Sequence, residues 1–185
     1  MDEGVLQPDI FPSPDRFLTL PNALTTMPTM LEGIIQSIPP QAGSYVLWLH
    51  LPQTQDLTVG RLGSFTFSAG DYIYLGSAQG PDGLRARLGR HLLGSGQPHW
   101  HIDRLRVAAQ VRGFGYQVSA GLLQSTECRW SQRLATLPDA SHPVPGFGSS
   151  DCRSGCTAHL VCFPDGIEQT FEDIAYQIGV PLKNI

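Results

Sequence analysis

The sequence predicts an α+β domain, a small and mostly antiparallel sheet flanked by a few helices. Three observations carry that expectation. Short runs rich in aromatic and β-branched residues recur along the chain, Gly/Pro clusters punctuate them, and the segments between include several with apolar residues at helical spacing. No internal repeat is visible, and 41% apolar content over 185 residues suffices for one core of ordinary size.

Residues 1–28 are rich in Pro, Asp and Thr without periodicity and read as an extended arm. Thr29 to Ser37 predicts a short helix, since Leu31, Ile34, Ile35 and Ile38 share one face and Pro39-Pro40 stops it. Gly43 to Leu49 (GSYVLWL) is a strand, and residues 57–67 give another strand or a hairpin. Tyr72 to Leu75 is a strand that breaks at Gly76-Ser77-Ala78. The turn at Pro81-Asp82-Gly83 leads into a helix, Leu84 to Leu93, with Asp82 as its expected cap.

Beyond a loop at 94–98, the segment opening at His99 has Ile102, Leu105 and Val107 as apolar positions and fits helix or strand. Val111 to Val118 predicts a strand. Ser125-Thr126-Glu127 can cap a helix to about Leu137, with Trp130 and Leu134 facing inward. A Pro/Gly loop (138–150), a strand (Thr157 to Phe163) and an amphipathic helix (Glu168 to Ile178) complete the chain. The expected boundaries are an arm with a short helix at 1–40, a domain at 41–164 and a C-terminal helical segment at 165–185.

No run of eighteen apolar residues exists, and the N-terminus lacks a basic region followed by an apolar one, so neither a membrane span nor a signal peptide is expected. Four cysteines at this length do not make a disulfide scaffold, which points to a reduced, cytoplasmic protein. The net charge of −4 hides an asymmetry. Residues 85–133 hold eight arginines against two carboxylates, a net +6, whereas residues 1–40 sum to −4 and 164–185 to −3. An all-arginine island between acidic ends suits bidentate phosphate contact and nucleic acid as partner.

Within that island, Arg87, Arg90 and His91 fall on one helical face after a strand and a Gly-Ser turn. Such a unit can hold a phosphodiester, or it can be a solvated basic face. Hydrolysis of a phosphodiester needs a base for water, a positive group on the phosphate, and a metal or acid at the leaving oxygen. Tyr45, Tyr74, Gly76, Arg87, His91 and Glu127 supply such groups only in combination.

That combination resembles the GIY-YIG nuclease superfamily. Its first motif stands as Gly43-Ser44-Tyr45, with Ser in place of Ile, and its second as Tyr74-Leu75-Gly76 followed by Ser77-Ala78. Arg87, eleven residues after Gly76, matches the helix arginine, and Glu127 at a helix start matches the metal-binding glutamate. More narrowly the chain resembles the Uri-type branch, formerly a domain of unknown function. That likeness spans roughly Gly43 to Phe163 and takes in His99-Trp100-His101-Ile102-Asp103, Glu127-Cys128 and Gly146-Phe147-Gly148-Ser149-Ser150-Asp151-Cys152.

The spacing from Tyr45 to Tyr74 is longer than in homing endonucleases. The resemblance implies a three-stranded antiparallel core, a Mg²⁺ or Mn²⁺ cofactor, and endonuclease activity on nucleic acid. The basic island could hold single-stranded DNA, a branched structure or RNA, with DNA the first expectation. It makes Tyr45 the base and has Tyr74 order water or phosphate. Arg87 would stabilise the pentavalent phosphate with His91 assisting, and Glu127 would hold the metal. Gly76, Ser77, Arg85, Arg90, His99, Trp100 and His101 would border the nucleic acid. The alternative is a non-catalytic binding domain of the same fold.

Two further clusters carry chemistry. His99, His101 and Asp103 can ligate a divalent ion on a strand, but capping and backbone hydrogen bonds are the better expectation for them, and Trp100 could stack on a base. Cys152, Cys156 and His159 have spacing for Zn²⁺, with Cys128 or Cys162 as a fourth donor, and the missing second paired-cysteine motif argues against it. Cys162 lies in an apolar run and is expected in the core.

Overall fold

The computed structural model describes residues 23–119, 126–164, 174, 176, 178–180 and 182–185. In chain order the elements are α1 (Ala23–Gln36), β1 (Gly43–Leu51), β2 (Gln55–Thr58), β3 (Ser64–Phe67), β4 (Gly70–Ala78), α2 (Gly83–Leu93), α3 (His101–Arg106), β5 (Gln110–Val118), α4 (Thr126–Leu134), β6 (Leu160–Phe163) and β7 (Leu182–Asn184). Five strands form one antiparallel sheet in the order β6-β4-β1-β5-β7, and β2 pairs with β3 as a separate hairpin. The expected α+β class and the three-stranded antiparallel core, β4-β1-β5, are both present.

β1 reads as nearly continuous apolar sequence because both faces of the sheet are covered. Tyr45, Leu47, Leu49 and Leu51 face one cluster with Ile35, Leu84, Leu88, Ile102 and Leu105. Val46 faces the other, with Ile73, Leu75, Trp130, Leu134 and Val161. A side-chain period of two thus sends alternate residues to helices on opposite sides. Helices α1, α2 and α3 serve the first face and α4 the second.

Three local expectations are corrected. β4 does not break at Gly76 but continues to Ala78, with Gly76 directly opposite Tyr45 in the β1–β4 register. A Cβ at Gly76 would run into the Tyr45 ring and hydroxyl, so the glycine leaves room for a phenol and the strand persists. Asp82 precedes α2 in the left-handed region (φ 57°) and makes no side-chain capping bond. Instead Leu84 donates its N–H to the Gln41 carbonyl and Arg85 Nε donates to the Ile38 carbonyl, so the residues before β1 hold the helix start. The segment after His99 is helical from His101, and Val107 is exposed rather than inward. The expected closing helix and the Ser125 cap lie largely outside the described residues. Among the described residues no helix is long and apolar enough to cross a membrane.

Candidate active-site cleft and Cys/His cluster

A cleft of about 820 Å³ opens where the ends of β1 and β4 meet α2, the start of α4 and the loop between α4 and β6. Tyr74, Gly76, Arg87, Trp100, Glu127 and Asp151 line it. Tyr45 lies one layer behind, 1% exposed, under Gly76. Its hydroxyl is 3.0 Å from His91 Nε2, and its ring centroid is 6.2 Å from that of Tyr74. Strand register sets the tyrosines and helix α2 sets Arg87 and His91, so the predicted Tyr45, Tyr74, Arg87 and His91 come together from three elements, β1, β4 and α2.

Burial dictates the protonation of this group. It pushes Tyr45 well above the usual phenol value, with Tyr74 adding to the rise and Arg87 opposing it. Burial likewise raises Tyr74 to about 12, again against Arg87. Burial lowers His91 to about 4, although the Asp103 carboxylate pulls the other way. At neutral pH both phenols are therefore protonated and His91 is neutral, so its Nε2 can accept the Tyr45 proton while Nδ1 carries one. Asp103 Oδ1 stands 3.5 Å from Nδ1, beyond a good hydrogen bond, and Nδ1 is buried with no bonded partner.

Asp103 is the hub of the α2–α3 junction. Its Oδ2 accepts the His99 N–H (2.8 Å), the Trp100 N–H (2.9 Å) and Arg90 Nη2 (3.0 Å). Burial alone would raise this carboxyl; the backbone bonds and Arg90 outweigh it and hold it low. The capping expectation for this segment thus stands, and His99, His101 and Asp103 do not gather as a metal set. His101 Nδ1 instead accepts the Gly148 N–H at 3.1 Å, and His99 packs edge-on to Trp100. Trp100 carries the Arg87 guanidinium 3.7 Å from its ring centre and that of Arg90 at 4.5 Å, two cation–π contacts.

The arginine island divides by use. Arg85 and Arg106 spend donors on backbone carbonyls: Ile38 for the first, and His91, Leu92 and Ala109 for the second, which closes the end of α2. Arg90 bridges Gln97 and Asp103. Arg87 lines the cleft with Ser77, while Arg104, Arg112, Arg129 and Arg133 are exposed.

On the cleft's opposite wall, α4 begins with Thr126-Glu127-Cys128, and the Glu127 side chain is buried against the cleft. Next to it, Cys128, Cys152, Cys156 and His159 bring one donor atom each to within 4.8 Å of one another. Cys128 Sγ is 3.2 Å from Cys152 Sγ and 3.5 Å from His159 Nε2. All four cysteines are unbridged, and Cys162 sits apart in β6, opposite Tyr72 in the β4–β6 register. This Cys₃His set can hold a metal such as zinc.

Sequence spacing did not expose two of these relationships. Asp103 faces His91 across a Gly/Pro loop, and Asp151 shares the cleft with Glu127 from a loop without secondary structure. Neither pair has a fixed separation along the chain. The adjacent Glu127-Cys128 was the available signal for Cys128, because a helix start that reaches one site also reaches the other.

Fold and site together define a small α+β domain with an arginine-bearing cleft walled by Tyr74 and acidic residues, beside a Cys₃His cluster. The family model described as a domain of unknown function, DUF123, matches residues 44–179, and the chain belongs to that family. No curated protein and no solved structure matches it.

Proposed function

We propose that this domain is a metal-dependent endonuclease of the GIY-YIG class, Uri-type branch, that hydrolyses phosphodiester bonds in DNA. One observation carries the reading: Tyr45 is hydrogen-bonded to a neutral His91 beneath Gly76, one layer behind a cleft lined by Tyr74, Arg87 and Glu127. A phosphate clamp and a carboxylate thus border one space large enough for a nucleotide, with a proton acceptor buried behind it.

The Mg²⁺ or Mn²⁺ that the resemblance implies would be held by Glu127 and Asp151, which both line the cleft, since such ions bind through one or two carboxylates with waters and phosphate oxygens completing the shell. When bound, the ion supplies positive charge for the phosphate and the departing oxygen. The protein's own groups do the rest. Arg87 places a delocalised cation where negative charge grows on the phosphorus-bound oxygens. Trp100 fixes that guanidinium from one side.

Tyr74 meets the attacking water at the cleft surface. The water's proton passes through the tyrosine hydroxyls to His91 Nε2, since neither phenol is ionised at rest and His91 is the unprotonated base within reach. Asp103 lies behind the imidazolium so formed and stabilises it. Hydroxide attack on phosphorus breaks the bond to the leaving oxygen, which takes up a proton from solvent.

The test is incubation of the protein with end-labelled single- and double-stranded DNA and RNA in Mg²⁺, Mn²⁺ or EDTA. Internal cleavage of DNA that EDTA abolishes supports the reading. Binding without cleavage under every metal would replace it with a recognition domain.

A further inference from the structure

We propose that Cys128, Cys152, Cys156 and His159 form a closed structural zinc centre, distinct from the Mg²⁺ or Mn²⁺ position and responsible for holding the acidic wall of the cleft. The donors come from two separate parts of the chain. Cys128 lies in the first turn of α4, and the other three lie in the loop that precedes β6.

The geometry suits one zinc ion. With Zn–S near 2.3 Å and Zn–N near 2.0 Å, the edges of a tetrahedral S₃N site are roughly 3.5–3.8 Å. The measured 3.2 Å between two sulfurs and 3.5 Å from sulfur to imidazole need only a few tenths of an ångström of adjustment. A disulfide requires about 2.05 Å, so Cys128 and Cys152 are not a bonded pair. Three thiolates and an imidazole reject Mg²⁺, Ca²⁺ and Mn²⁺ by softness. A binuclear iron–sulfur cluster would separate the ligands on its two irons further than a 4.8 Å span permits. Four protein donors leave no open position, which makes the centre structural rather than catalytic.

The surrounding chain shows what the centre would do. Between Leu134 and Leu160 there is no helix or strand, only an isolated bridge from Ser141 to Cys162. A connection of that length inside a packed domain needs another constraint. The clamp is wired to the cleft. The Leu75 N–H donates to the His159 carbonyl at 2.9 Å, the His159 N–H donates to Phe147 at 2.8 Å, and Ser131 Oγ donates to Ala158 at 2.7 Å. Leu75 lies between Tyr74 and Gly76. Gly148 fits between the Tyr74 ring and the His159 side chain, where a Cβ would come within 2.8 Å of that ring. Two zinc ligands adjoin the cleft carboxylates in sequence, Cys128 after Glu127 and Cys152 after Asp151. Only the link to Glu127 as a metal ligand rests on the nuclease reading; the zinc centre itself does not.

The experiment is elemental analysis of the full chain purified without chelator, followed by replacement with Co²⁺. One zinc per chain is expected, and the cobalt form should show intense visible d–d bands with a near-ultraviolet thiolate charge-transfer band, the signature of a tetrahedral thiolate-rich site. Dipicolinate should lower Tm, and Zn²⁺ but not Mg²⁺ should restore it. Cys156→Ser, at a partly exposed loop position, should weaken zinc binding by at least tenfold in a competition titration. A folded chain with less than a tenth of a zinc and no cobalt thiolate band would overturn the proposal, as would a brown iron–sulfur chromophore. None of these readouts depends on cleavage, so an inactive protein with one zinc would reject the nuclease and keep the centre.

Discussion

Gly76→Ala is the sharpest perturbation of the described structure. An added Cβ would collide with Cζ and Oη of Tyr45, a ring 1% exposed whose hydroxyl is tied to His91. With the added atom aimed at that ring, the β1–β4 pair must spread or the Tyr45–His91 bond must break. Overpacking of this kind costs about 1–3 kcal/mol, and loss of a buried hydrogen bond adds about 1 kcal/mol. For a chain of this size, roughly 2–4 kcal/mol lowers Tm by roughly 4–16 °C. The control is Gly80→Ala: nothing lies within 4 Å of the point where its Cβ would stand, so stability should change by less than about 0.5 kcal/mol. Urea and thermal denaturation followed by circular dichroism make the comparison. Equal midpoints for Gly76→Ala and wild type would refute the packing of Tyr45 under the glycine, and with it the proton path.

Three further outcomes are expected. His91 has a folded value near 4 against 6.5 unfolded, so the unfolded state binds more protons between these limits. The His91 contribution to stability is therefore constant above pH 6.5 and falls by roughly 3 kcal/mol as pH drops towards 4; His91→Gln should make that part of the urea-midpoint profile shallower, and an unchanged slope would place the titration elsewhere. Asp103→Asn removes a charge from the acceptor of two N–H groups and Arg90, which should cost about 1–3 kcal/mol and slow cleavage; a variant as stable and as active as wild type would remove Asp103 from the site. Glu127→Gln should raise the Mg²⁺ concentration needed for half-maximal cleavage at least tenfold, while an identical metal titration would reject Glu127 as a ligand.

The strands were legible in the sequence because a sheet covered on both faces concentrates aromatic and β-branched residues, as in GSYVLWL and YIYL. Gly76 misled because small residues in a strand read as its end. Only the partner strand, by placing Tyr45 opposite, gives the glycine its reason to remain in β4. The α3 segment was ambiguous on six residues with few apolar positions, and the Asp103 contacts that fix its start come from tertiary packing. Half of the site followed from motif spacing: Tyr74-Leu75-Gly76 and the α2 arginine sit where a strand and the following helix must meet. The other half did not, since His91–Asp103 and Glu127–Asp151 are joined only by the fold. Three of the four cysteine-cluster donors showed in their spacing, and of the two candidates for the fourth, Cys128 and Cys162, the packing of α4 beside the loop selects Cys128. The basic island overstated the free charge, because Arg85, Arg90 and Arg106 bind the protein's own oxygens.

The most direct test of the nuclease claim measures binding and cleavage of one labelled DNA strand by wild type and Arg87→Ala in the same Mg²⁺ buffer. Arg87 sits in the cleft, stacked on Trp100 and outside the core, so its removal should leave the fold intact. Binding should stay within a few-fold of wild type while the single-turnover cleavage rate falls by about 10²–10³, the usual loss when a transition-state charge donor is deleted. Cleavage at the wild-type rate by Arg87→Ala would contradict the account.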